Sequence, residues 1–201
     1  MSKASRTTGR SVRLAQTLVL TAVLAAGASA CSDNESPSAP SADATNSDAK
    51  KATEALDEGL EAHAAGDLSE AVAAYDTALD YDAANKYALY NLALIDEANG
   101  NYGLAEEKYR AALETDDAYE PALFNLAILR TARDDPKEAI SLYERAVAAD
   151  KKDAATWLNL GLLLRENGEE RAGDKAVLRA IGLDQTLQDP SGALDSTGPS
   201  S

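Results

Sequence analysis

Between residues 52 and 187 apolar positions recur at helical spacing, in paired runs of about 13–15 residues broken by short polar turns. Leu56, Gly59 and Leu60 share one face of a first run; after Gly66-Asp67, the residues Ala71, Tyr75 and Ala78 share one face of a second. The whole pattern then returns every 34 residues without insertion, in registers 52–85, 86–119, 120–153 and 154–187. Its columns read Gly59, Ala93, Ala127, Gly161; Ala71, Ala105, Ala139, Gly173; Tyr75, Tyr109, Tyr143, Val177; and Ala78, Ala112, Ala146, Ala180. Each unit is predicted to be two amphipathic helices near 20 Å long at about 1.5 Å per residue. The turn between them holds Gly66-Asp67, Gly100-Asn101, Asp134-Asp135-Pro136 or Gly168. Glycine supplies the left-handed cap there, and Pro136 suits a first helical turn. The small-residue columns let the two helices approach closely, and the tyrosines fill the gap between units. One such unit cannot cover its own apolar face, so the fold expected is all-α: four 34-residue helix-turn-helix repeats stacked as a right-handed α-solenoid with a concave side.

The period and columns resemble the tetratricopeptide repeat, whose pattern is W-x₂-L-G-x₂-Y…A-x₃-F…P. Trp157, Leu160 and Gly161 match its opening, with Leu164 where Tyr is usual. Ala71/Tyr75, Ala105/Tyr109 and Ala139/Tyr143 match the A-x₃-aromatic step, while Ala83, Asp117, Lys151 and Gln185 replace the closing Pro. The resemblance implies that the first helix of each unit lines a groove. Its rows there are Leu56, Tyr90, Phe124, Leu158; Asp57, Asn91, Asn125, Asn159; and Leu60, Leu94, Ile128, Leu162. A side-chain amide offers both donor and acceptor, so Asn91, Asn125 and Asn159 suit the main chain of an extended peptide whatever its sequence. Asparagine is also simply common at this place in the family. The aromatic pair Tyr90 and Phe124 suits binding anchors, and the leucine-isoleucine row also serves the core. The carboxylate clamp of chaperone-binding relatives is absent, because Leu56, Leu60, Pro121 and Asn125 stand where it needs Lys and Arg. No polar capping helix follows the fourth unit. Its outer face, with Leu178, Ile181 and Leu183, is left for a partner, a second copy or the tail to cover.

The start of the chain has a different character. Lys3, Arg6, Arg10 and Arg13 precede an uncharged stretch at residues 14–30, which closes on Ala28-Ser29-Ala30 and then Cys31. A basic start, an apolar middle and small residues at the exit predict a secretory signal peptide over residues 1–30. The run Ala-Gly-Ala-Ser-Ala-Cys resembles the lipobox of bacterial lipoproteins, with Ala28 where Leu is usual. That resemblance implies a diacylglyceryl thioether on Cys31. Ordinary signal peptidase cleavage fits the same bond and would leave a free thiol; the two readings differ only in lipid. Two or three acyl chains anchor firmly, since each buried CH₂ adds about 0.8 kcal/mol. Residues 31–51 hold no Val, Ile, Leu or aromatic and are expected as a disordered tether, about 25 Å in reach. Residues 188–201 are expected as a flexible tail.

Composition narrows the function. The chain has 201 residues and a formal net charge of −15, which cleavage before Cys31 would take to −19. Such a chain does not suit nucleic acid, whose binders need a basic face to displace counterions. One Cys excludes a disulfide framework and Cys-rich zinc sites, and one His leaves little for His-based catalysis or metal binding. His63 has only Ala62, Ala64 and Ala65 beside it and is expected as a solvated surface group. Asp82, Asp116, Asp150 and Asp184 recur once per unit and suit turns better than calcium, which wants six to eight converging oxygens. No phosphate-cradling loop, catalytic set, metal motif, cofactor or small-molecule substrate site is indicated. The sequence thus predicts a non-catalytic, lipid-anchored adaptor outside a bacterial cytoplasmic membrane, holding a peptide or helical segment of another protein; an outer-membrane or fully secreted location fits the same leader. The other reading is a structural subunit of an envelope assembly, docked through its uncapped last repeat.

Overall fold

The computed structural model describes residues 42–192, and these form eight α-helices and no strand. In order they are α1 (Ala42–Ala65), α2 (Leu68–Tyr81), α3 (Lys86–Ala98), α4 (Tyr102–Thr115), α5 (Glu120–Ala132), α6 (Pro136–Ala149), α7 (Ala154–Glu166) and α8 (Glu170–Leu183). Each odd helix pairs with the even helix after it, and each hairpin packs against the next. The result is an all-α helical-repeat solenoid with odd helices along one face and even helices along the other. The expected signal peptide, Cys31 and the tether as far as residue 41 lie outside the described residues, as do residues 193–201.

Turn chemistry sets the helix ends. Gly66, Gly100 and Gly168 take φ of 84°, 77° and 85°, and Asp134 takes the same left-handed role at 59°. The next N–H then donates back across the last turn: Asp67 to Ala62, Asn101 to Asp96, Asp135 to Arg130 and Glu169 to Leu164, each at 2.8–3.0 Å. Asp67 and Asp135 go on to cap α2 and α6 by accepting from the N–H of Glu70 and Glu138. The repeating aspartates end every hairpin. Asp82, Asp116, Asp150 and Asp184 each accept from the N–H two residues on, at 2.8–3.2 Å, so their carboxylates shape turns.

Within each hairpin the helices meet through their small residues. Ala71, Ala93, Ala105, Ala127 and Ala139 are fully buried, as are Ala78, Ala112, Ala146 and Ala180. The contact is tightest where glycine stands. A Cβ on Gly161 would lie 2.7 Å from Val177 Cγ2 and 2.8 Å from the Gly173 carbonyl, and one on Gly59 would lie 2.5 Å from the Tyr75 ring. Tyr75, Tyr109 and Tyr143 are buried in this seam. An aromatic buries roughly 150–250 Å², or about 4–6 kcal/mol of gross transfer free energy at about 25 cal/mol per Å². Leaving its hydroxyl unpaired would return about 1–3 kcal/mol of that. Each of the first three units therefore supplies a partner from the end of its own first helix. His63 Nδ1 lies 3.3 Å from the Tyr75 hydroxyl, Glu97 accepts from Tyr109 at 2.8 Å, and Thr131 meets Tyr143. His63 is accordingly half-buried and edge-on to Tyr75, not the solvated surface group expected. Its partner lies across the hairpin turn on α2, where neighbours in sequence cannot reveal it.

The fourth unit departs from this scheme. Val177 has no hydroxyl, and the equivalent first-helix position is Arg165. Its guanidinium turns outward to Asp174 at 2.8 Å and to Asp189 at 2.7 Å. Asp189 has no exposed side-chain surface, and Ser191 donates to it through both N–H and hydroxyl. The sequence places residues 188–191 in a flexible tail, but this clamp holds them against α7. On the outer face of the last repeat Ile181 is buried and Leu183 half-buried, while Leu178 stays exposed. The other end also differs from expectation. Residues 42–51, assigned to the tether, continue α1. Once Ala52 and Ala55 are buried, extending the helix costs no new nucleation. The Lys51–Asp48 and Lys50–Glu54 pairs favour it.

Ion pairs tie neighbouring units. Glu106 of α4 meets Arg110, Arg130 and Arg133, and Glu138 of α6 meets Arg110 and Arg130. Three cations and two anions thus bridge three successive helices. Among the described residues no helix is long and apolar enough to cross a membrane.

Both the hairpin seam and the terminal clamp can be tested by substitution. Gly161→Ala forces α7 and α8 apart and costs about 1–3 kcal/mol in urea unfolding. Gly182→Ala in the same hairpin, where a Cβ meets nothing within 4 Å, costs nothing. Asp189→Asn releases the terminal segment and costs about 1–3 kcal/mol. Arg165 holds the Asp189 carboxyl well below its ordinary 3.8. The clamp is therefore complete above that pH and fades as pH falls below it, a loss absent from the Asn variant. Urea midpoints measured between pH 3 and 7, with hydrogen exchange at the end of α8, test both points.

Candidate partner-binding surface

Each odd helix turns four positions at i, i+3, i+4 and i+7 toward one face. On α3 they are Tyr87, Tyr90, Asn91 and Leu94, and on α5 Pro121, Phe124, Asn125 and Ile128. On α1 they are Thr53, Leu56, Asp57 and Leu60, and on α7 Ala155, Leu158, Asn159 and Leu162. All eleven groove residues named from the sequence thus fall on this single surface. Leu60 and Ile128 are 43% and 36% exposed, whereas Leu56, Leu94, Leu158 and Leu162 are half-buried. Tyr90 and Phe124 are half-buried as well, their rings set against Tyr109 at 5.8 Å and Tyr143 at 6.0 Å.

The asparagine row is arranged differently in each unit. Asn91 Nδ2 donates to the Tyr87 carbonyl at 2.8 Å, within its own helix. Asn125 Nδ2 donates to the Tyr90 hydroxyl at 3.1 Å, which links α5 to α3. Each of these amides keeps its Oδ1 acceptor and one Nδ2–H donor open. Asn159 makes no side-chain hydrogen bond among the described residues and keeps both groups. Asp57 is exposed and adds charge at the α1 end.

Sequence reasoning missed the first position of each set. Tyr87 is 48% exposed and stands edge-on to Tyr119 at 5.7 Å; Tyr119 in turn stands edge-on to Tyr90 at 5.5 Å. With Tyr109 behind Tyr90, four tyrosines step from the surface into the core. Lys86 Nζ lies 5.1 Å and 5.0 Å from the Tyr87 and Tyr119 rings and donates to Asp116 Oδ2 at 2.5 Å. The signal available was Tyr87 three residues before Tyr90, on the same helical face.

The electrostatics keep this surface neutral and donating. Burial pushes Tyr119 up to about 12, with the nearby Tyr90 and Tyr87 adding to the shift. Burial also raises Tyr90, against the opposing hydrogen bond from Asn125. The hydrogen bond to Asp116 raises Lys86, and its counterpart lowers Asp116, so the pair stays ionised and mutually neutralised. Near pH 7 the face therefore offers phenol O–H groups, amide oxygens and apolar rings, a set suited to the main chain and apolar side chains of a protein segment. Among the described residues no His, Cys, Asp or Glu cluster could hold a metal ion.

Helical hairpins stacked side by side, with an apolar and amide-bearing face left open, define a helical-repeat scaffold for protein interaction. Two family models described as tetratricopeptide repeat match, one over residues 56–121 and one over 96–160. Together they span more than half of the chain, which belongs to the tetratricopeptide repeat family. The fold is similar to a crystal structure of MamA protein, at 24% identity, 69% of this chain, 75% of that one and a TM-score of 0.60. It is similar to Pseudomonas aeruginosa PilF, at 21% identity, 74% of this chain, 67% of that one and a TM-score of 0.61. It also matches part of a mutant Thermobaculum terrenum O-GlcNAc transferase, at 24% identity and a TM-score of 0.58, over 67% of this chain but only 26% of that one. At such identities the likeness shows the fold alone. No curated protein matches the chain.

Proposed function

We propose that this scaffold is a non-catalytic adaptor, anchored by a lipid on Cys31 to the outer face of a bacterial cytoplasmic membrane. On its odd-helix face it holds a peptide or helical segment of another envelope protein. The observation that carries the binding half is the continuous row of half-open apolar and aromatic side chains from Leu60 through Tyr87, Tyr90, Phe124 and Ile128 to Leu158 and Leu162. Buried cores do not leave such a row open across four units, and exposed aromatic anchors are where binding energy concentrates. Asparagine oxygens beside the row add main-chain recognition. The anchoring half rests on the basic start, apolar stretch and small residues before Cys31. After cleavage before Cys31 the net charge of −19 repels anionic headgroups, so the repeats stand off the membrane on their tether.

Crosslinking on intact membranes, followed by affinity measurement with the identified partner segment, tests the binding half. Tyr87→Ala with Ile128→Ala weakens capture at least tenfold, and Asn91, Asn125 and Asn159 to Ala together weaken it further. Helicity by circular dichroism stays unchanged in both. Undiminished affinity in both variants rejects this face as the binding site. Metabolic labelling with a radioactive fatty acid tests the anchor: Cys31→Ser loses the label and moves to the soluble fraction, and label retained in that variant removes Cys31 from the proposal.

A further inference from the structure

The even-helix face carries a second opening, and the repeat supplies its own control. Between α4 and α6, over α5, lies a shallow cleft of about 330 Å³. It is closed in two ways. Leu142 is buried in its wall, and Glu138 reaches across to Arg110 at 2.5 Å. Thirty-four residues on, the same cleft recurs between α6 and α8 over α7, and there it is about 580 Å³. Ala176 stands in place of Leu142, Ala172 in place of Glu138, and Glu144 in place of Arg110. The filling side chain and the cross-strap are both gone. Trp157, Leu160 and Leu164 line the floor, and the Trp157 Nε1 donates to the Lys151 carbonyl at 3.1 Å, so the remaining ring surface is apolar.

The rim of this cleft has its own charge. Lys175 and Arg179 border it and, with Arg171, form an exposed stripe at one-turn spacing along α8. None of the three has an ion-pair partner among the described residues, whereas Arg110, Arg130, Arg133 and Arg165 are all paired. These open cations lie on the α8 side of an apolar cleft whose α6 side carries Glu144, in a chain of net charge −15. Lys175 and Arg179 lie about 6 Å apart along the helix, the separation of carboxylates at i and i+4 of a second helix laid alongside.

We propose that the α6–α8 cleft is a second docking site, distinct from the odd-helix face, and that its occupant is an acidic amphipathic helix of a partner protein. A bulky apolar side chain of that helix enters over Trp157 between Ala172 and Ala176, and its carboxylates meet Lys175 and Arg179. The chain could then hold two proteins at once, one on each face.

Trp157 is the only tryptophan and reports directly on occupancy. The probes are two synthetic 18-residue helical peptides with leucine on one face and no tryptophan, one carrying glutamate on its flanks and the other lysine. Titrated into the purified full-length protein, the glutamate peptide shifts Trp157 emission to the blue in a saturable manner, with affinity falling as salt rises. The lysine peptide binds at least tenfold more weakly. Ala176→Leu, which installs the residue of the preceding unit, abolishes binding measured by calorimetry. Lys175→Glu with Arg179→Glu, a surface change that leaves the fold intact by circular dichroism, weakens it at least tenfold. Tyr87→Ala on the opposite face leaves it unchanged, which separates this site from the one proposed above. Equal binding of the two peptides, no binding, or unaltered binding by both cleft variants overturns the proposal. So does a response confined to phosphatidylglycerol vesicles, or one seen only after residues 193–201 are removed.

Discussion

The closeness of the two helices in each hairpin is the constraint on which the rest depends. Only glycine or alanine fits where α1 meets α2, α3 meets α4, α5 meets α6 and α7 meets α8. That approach creates the seam in which three tyrosines are buried, and buried phenols demand partners. The demand reaches back to the end of each first helix, where histidine, glutamate and threonine answer it in turn. When the fourth unit replaces tyrosine by Val177 the demand disappears, and the vacated position becomes an arginine that fastens the terminal segment. One packing rule therefore explains both the regularity of three units and the irregularity of the last.

Outward-facing positions are released from that rule, and there the units diverge. On the odd-helix side the divergence gathers aromatic rings at the second and third units and leaves the fourth with plain leucines and an unengaged Asn159. On the even-helix side an ionic strap spans the second and third units, while the next pair has alanines and free cations. A repeat protein is stabilised by the features its units share, and the differences between equivalent positions are where partners can be distinguished.

Much of this was legible in the sequence, for a physical reason. Buried columns tolerate few residue types, so Ala105, Tyr109 and Ala112 recur at 34-residue spacing and expose the fold. The hydroxyl partners were hidden because chemistry, not identity, is what recurs at His63, Glu97 and Thr131. The Arg165–Asp189 clamp was hidden because Pro190 and Gly192 make its surroundings read as unstructured, whereas the ion pair and the Ser191 hydrogen bonds to Asp189 hold them. The added turns of α1 were hidden because residues 42–51 lack apolar pattern and are helical through continuity with the buried turns at Ala52 and Ala55. Helical spacing alone gathers the candidate residues of the odd helices on one face, yet the engagement of Asn91 and Asn125 with their own neighbours is a matter of geometry. The even-helix cleft is a difference between two alanines and their larger counterparts, visible only once the walls are in place.

Among the described residues the side-chain hydrogen bond from Thr156 to Glu120 spans 36 residues, little more than one repeat. Such short-range wiring closes only small loops and favours rapid assembly. A polypeptide built this way can acquire its shape progressively, hairpin upon hairpin, in the order in which it emerges from the ribosome.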